Sequence, residues 1–192
     1  MAKLIVKVPV GNYENSDAIN RLIGYISTEN HHPVLIGGYG FFPVTVANAI
    51  DEFNRIDSAM SKFEPSQRKV WHLIYAFDIT ISYSLALFIA SRVALYCHRK
   101  GFLVFYGLHS PDSNNKQRGF HIHFCIQYYN YNFYKSNLEY GYFLNILDKL
   151  SKDLIKTFPN IKVEDIDNNQ IYLDSLLKDI QPYYLKVYDK KP

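Results

Sequence analysis

Three amphipathic stretches dominate the hydrophobic pattern of the chain. Ile19, Leu22, Ile23 and Ile26 recur at helical spacing. Ala49, Phe53, Ile56, Met60 and Phe63 form a second stripe over about 46 to 63, and Phe143, Leu147, Leu150 and Leu154 a third over about 138 to 157. Asn15 or Ser16 is the expected cap of the first helix and Thr45 that of the second. A further helix is predicted from about 81 to 99, stopped at Gly101 behind His98, Arg99 and Lys100. Between these lie β-rich runs: LIVKVPV, VWHLIYAF, FLVFYGLH and FHIHFCIQ. ENHHPVLIGGYGFFPV reads as a Gly- and Pro-rich loop, while a short helix near 171 to 179 and a strand YYLKVY are expected in the tail. The order β, α, α, β, α, β, β, α predicts an α+β fold in which helices flank a central antiparallel β-sheet, with the FLVFYGLH/FHIHFCIQ hairpin at its centre.

Composition bounds this picture. The 192 residues, 48% of them apolar, suffice for one core and leave little for a second, so one domain spanning 1–192 is expected. A net charge of +3 is compatible with nucleic acid without pointing to it. Aromatic residues reach 16%, most of them expected as core and strand filler. Cys97 and Cys125 are read as buried, reduced thiols of a cytoplasmic protein. The N-terminus lacks the pattern of a signal peptide, and ISYSLALFIA is too short to span a membrane.

Candidate chemistry sits on the hairpin. In an extended FHIHFCIQ, His121, His123 and Cys125 share one face and Phe120, Ile122, Phe124 and Ile126 the other. A His-X-His pair alone fits two half-buried, satisfied histidines as well as it fits a metal site. The loop SPDSNNKQRG weights the choice: a closure that pairs residue 109 with residue 121 puts His109 on the same face. Three neutral imidazoles then converge with coordination positions left open, as a catalytic site requires. Asp112 is either a partner that orients one imidazole or a plain turn residue. Lys116 and Arg118, in the loop over the site, are the best-placed cations for phosphate contacts. His72, facing with Val70, Ile74 and Ala76, reads as a satisfied core histidine, and His31 and His32 as a solvated loop pair. At 100° per residue, Tyr25 sits roughly 110° from the centre of the first apolar stripe and points off the core side.

These features in this order, LIGYIST around Tyr25, then WHLIYAFD, a long helix and HSPDSNNKQRGFHIHFCI, resemble the HUH relaxases, the mobilisation nucleases of plasmids and integrative elements. The resemblance runs from residue 3 to about 155, leaving 156–192 as an extension. It implies a relaxase-type sandwich and a single-strand DNA endonuclease and strand transferase. Tyr25 would attack a phosphodiester and become joined to the 5′ phosphate. A divalent ion, magnesium or manganese, would be held by His109, His121 and His123. Implied partners are single-stranded DNA at an origin of transfer and accessory mobilisation proteins. The chain departs from the family in its longer segment between His109 and His121, and in having Gln127 as the nearest amide after the His-X-His strand. Replication initiators and single-Tyr transposases of the same class place the nucleophile after the histidines, where Tyr140 and Tyr142 would serve. A non-catalytic module binding single-stranded DNA is the reading from another class.

Overall fold

The computed structural model describes residues 2–9, 11, 13–29, 32–63, 65, 68–111, 119–132 and 135–165. Asp112, Lys116, Arg118, His31 and the elements expected beyond residue 170 lie outside the described residues. In chain order the elements are β1 (Ala2–Lys7), α1 (Ala18–Ile26), β2 (Thr28–Glu29), β3 (His32–Pro33), β4 (Leu35–Tyr39), α2 (Val46–Met60), β5 (Val70–Phe77), α3 (Tyr83–Arg99), β6 (Val104–His109), β7 (His121–Gln127), α4 (Tyr140–Thr157) and β8 (Ile161–Asp165).

The fold is α+β. Six strands form a sheet in the order β4-β6-β7-β5-β1-β8, antiparallel throughout except for the parallel β1–β8 pair, while β2 and β3 make a separate two-stranded ladder. Period-2 alternation in the strands feeds two cores. Val104, Tyr106, Leu108, Ile122, Phe124 and Ile126 pack with α3 and α4 on one face; Val70, Phe105 and Cys125 pack with α1 and α2 on the other. No helix among the described residues is long and apolar enough to cross a membrane.

Several local expectations meet different outcomes. Thr45 caps α2, its Oγ1 accepting from the Asn48 N–H at 3.2 Å, and Ser82 caps α3 in the same way. Helix α3 ends before Gly101, whose φ of +100° is open to glycine. Helix α1, by contrast, begins behind Asp17 with no side-chain cap, because a tight turn joining the Ala18 N–H to the Asn15 carbonyl delivers the chain into it. The segment expected to be a loop takes in the second residue of β2, all of β3 and the edge strand β4. Gly37 and Gly38 sit in β4 because the Tyr106 and Phe41 rings occupy the space a Cβ would need. Strand β8, which is not among the strands expected from the sequence, adds to β1 at the far edge.

Candidate metal centre

The hairpin register is the one that brings the histidines together. His109 pairs with His121 and Gly107 with His123, so His109 and His123 are diagonal neighbours on the face covered by α1. Ring centroids are 4.5 Å apart for His109 and His123, 5.1 Å for His109 and His121, and 5.2 Å for His121 and His123. One nitrogen from each ring lies within 4.8 Å of the others, a spread that can hold a metal ion.

Hydrogen bonding decides which nitrogens are offered. The His109 Nε2–H donates to the Ile26 carbonyl at 2.9 Å, which leaves Nδ1 to face outward. His123 has its Nδ1 3.0 Å from His72 Nε2, while its own Nε2 is buried with no hydrogen-bond partner among the described residues. An orphaned buried imidazole nitrogen costs about 1–3 kcal/mol, and a cation at that point removes the cost. The residues therefore fit a metal ion.

Electrostatics favour the ligating form. Burial, and then the neighbouring His109, hold His72 down at about 4; burial, with His109, His72 and His121 behind it, holds His123 down at about 2. Both rings are thus neutral at physiological pH, the form in which His123 can offer a lone pair to a metal. The folded values lie below the ordinary 6.5, so on acidification the unfolded chain takes up protons first. In metal-free protein, stability is intact above about pH 6.5 and falls below it, by roughly 2 kcal/mol for each ring at pH 5. Urea unfolding at pH 7 and pH 5 measures this, and equal midpoints would show that the rings are not buried as described.

Tyr25 stands over this cluster. It is 54% exposed while Ile19, Leu22, Ile23 and Ile26 are buried beneath α1. Its ring centroid lies 5.2 Å from His123, edge to face, and 6.2 Å from His109. Gly107 permits this close seating of the helix, since a Cβ there would meet the Ile26 carbonyl oxygen at 2.2 Å. Tyr140 and Tyr142 belong to the opposite layer: Tyr140 stacks on Trp71, and Tyr142 packs against Phe102.

Three further residues join the site without having been singled out for it. Glu29, in the supposed loop, places Oε1 3.9 Å from His109 Nδ1 and 4.0 Å from His121 Nε2, while its Oε2 accepts from the Ser110 N–H at 2.8 Å. His72 is buried and satisfied as expected, but its partners are His123 and, at 2.8 Å from Nδ1, the Tyr13 hydroxyl. Burial pushes the Tyr13 phenol up to about 12, so it stays a neutral hydroxyl. Strand alternation groups His72 with Val70, Ile74 and Ala76 without saying which strand it faces, and no sequence signal marks Glu29 or Tyr13. Compared with known proteins, the chain matches no protein-family model, no curated protein and no solved structure, and its chemistry has to be read from these residues.

Proposed function

We propose that the chain is a metal-dependent, single-strand DNA nicking and strand-transfer enzyme of the relaxase type, built on an HUH-like sandwich, with Tyr25 as its nucleophile. The observation that carries this reading is the seating of an exposed tyrosine ring, centroid 5.2 Å from that of a histidine of a three-imidazole cluster, on a helix that packs against the strands of that cluster. The tyrosine and the histidines arise from segments about 85 to 100 residues apart in sequence, so local chain geometry does not account for their meeting.

His109 through Nδ1, His123 through Nε2 and His121 would hold the ion, with Glu29 beside the first and third. When bound, the ion offsets the negative charge that builds on the phosphate oxygens. Three imidazole donors suit a transition ion such as manganese better than magnesium, which prefers oxygen ligands. Tyr25 Oη attacks phosphorus in line, and its proton passes to solvent or to a nearby base. The P–O3′ bond breaks, the 3′ oxygen takes up a proton, and the 5′ phosphate stays on Tyr25. A phenolate is a competent leaving group, so the reverse attack by a 3′ hydroxyl reseals or transfers the strand. Single-stranded DNA, with an origin of transfer as its source, is the proposed partner.

The test is incubation of the full chain with labelled single-stranded oligonucleotides, with and without manganese or magnesium. The expected result is a metal-dependent covalent protein–DNA product carrying the 5′ phosphate. Binding of the oligonucleotides without any such product under any divalent ion would replace this reading with the non-catalytic module.

A further inference from the structure

We propose that Tyr13 and His72 form a hydrogen-bond chain that fixes which nitrogen of His123 faces the metal, making His72 a positioning residue of the centre. The inference rests on the metal-site reading above and adds to it the direction of that chain.

His72 Nε2 and His123 Nδ1 are 3.0 Å apart, and between two neutral imidazoles one nitrogen carries the hydrogen and the other accepts it. Tyr13 Oη, 2.8 Å from His72 Nδ1, can accept or donate. Only two arrangements keep both bonds. In the first, Tyr13 O–H donates to His72 Nδ1, His72 Nε2–H donates to His123 Nδ1, and the remaining hydrogen of His123 sits on Nε2. That buries an N–H with nothing to donate to. In the second, His123 Nδ1–H donates to His72 Nε2, His72 Nδ1–H donates to Tyr13 Oη, and Tyr13 turns its own hydrogen elsewhere. His123 Nε2 is then a bare lone pair at a residue 3% exposed. Both arrangements hold the same number of hydrogens, so passing between them changes no net charge.

A cation at the histidine cluster is compatible only with the second arrangement, because it needs the Nε2 lone pair. The chain is thus set in one direction when the ion binds, and Tyr13, by accepting from His72, terminates it. Both nitrogens of His72 are engaged in the chain, which keeps His72 out of the ligand set although it stacks on His123 with centroids 5.2 Å apart. Register accounts for the pairing: His72 lies opposite Cys125 on β7, one diagonal step from His123, and the small thiol side chain leaves it room.

Zinc serves as a diamagnetic probe. In the 15N-labelled full chain, long-range proton–nitrogen correlation of the imidazole side chains reports the tautomer of each ring. The expected result with zinc bound is Nδ1–H for both His72 and His123. Outer partners of metal-bound histidines typically change affinity by about 10- to 100-fold, so His72→Phe is expected to weaken zinc binding by that factor, measured by calorimetry. His72→Gln, whose amide oxygen can accept from His123 Nδ1–H, is expected to recover most of the loss. A zinc-loaded protein with His72 in the Nε2–H form, or a His72→Phe variant binding zinc as tightly as the parent, overturns the proposal. Should His72→Phe fail to fold, the tautomers of the unsubstituted chain decide. A parent chain that takes up no zinc overturns the metal site itself, whereas zinc bound with the wrong tautomer overturns only the chain.

Discussion

Tyr25→Phe is expected to eliminate the covalent protein–DNA product and strand cleavage, with a loss on the order of 10^4- to 10^6-fold, the scale associated with removing a covalent nucleophile. The substitution deletes one oxygen and keeps the ring, whose centroid lies 5.2 Å from that of His123, so the helix seat and the histidine cluster are undisturbed. Affinity for single-stranded oligonucleotide is therefore expected to stay within about twofold, because stacking surface and charge are both retained. Gel assay of the adduct together with equilibrium binding separates the two effects. Tyr140→Phe and Tyr142→Phe are expected to leave the adduct intact, since these rings pack with Trp71 and Phe102 in the layer across the sheet. An adduct that survives Tyr25→Phe and disappears with either of the other two would move the protein to the replication-initiator or transposase reading.

The second large effect concerns the ion. His121→Ala/His123→Ala is expected to weaken binding of manganese or zinc beyond ~10^3-fold, more than the 10- to 100-fold typical of losing an outer partner, because two of three ligating nitrogens go. The cost in stability is smaller and has a definite source. His121 is 25% exposed and packs its ring against those of His109 and His123. Truncating the buried His123 leaves His72 Nε2 without its partner, a penalty of about 1–3 kcal/mol. Both hydrophobic cores are untouched, so circular dichroism is expected to show a folded protein. Calorimetric titration giving the same affinity in variant and parent would end the case for a histidine-held metal.

Much of this site is legible in the sequence, for a reason that lies in strand geometry. FHIHFCIQ alternates so strictly that its facing residues follow from period 2, and the polar loop of turn formers before it marks a hairpin with FLVFYGLH. The observed pairing of His109 with His121 leaves eleven residues between them, the ten of that loop and Phe120. Helix α1 is similarly readable, because four aliphatic residues define a stripe and leave Tyr25 off it. Pairings between segments far apart in sequence are different. Nothing in VWHLIYAF says that it lies beside β7 in the register that puts His72 against His123, and so a residue read as ordinary core becomes part of the site. Strand β4 is hidden because glycines, which normally argue against a strand, are there to admit the rings of Tyr106 and Phe41. Glu29 is obscured by the shortness of its strand, since two residues have no period to read.

The bond from His109 to the Ile26 carbonyl has a mechanical consequence. Ile26 follows Tyr25 directly in the chain, so the residue that would attack and a ring that would hold the ion share one anchoring point at the end of α1. A small slide or tilt of the helix carries the carbonyl with it and drags the imidazole in the same sense. Errors in helix position are then common to both groups, and their separation varies less than either group's place relative to the sheet. In-line displacement depends on that separation rather than on absolute position, a misplacement of about 1 Å costing on the order of 100-fold. On the proposed reading with Tyr25 as nucleophile, the 2.9 Å contact from His109 to the Ile26 carbonyl would couple the position of the helix to that of a metal-holding ring.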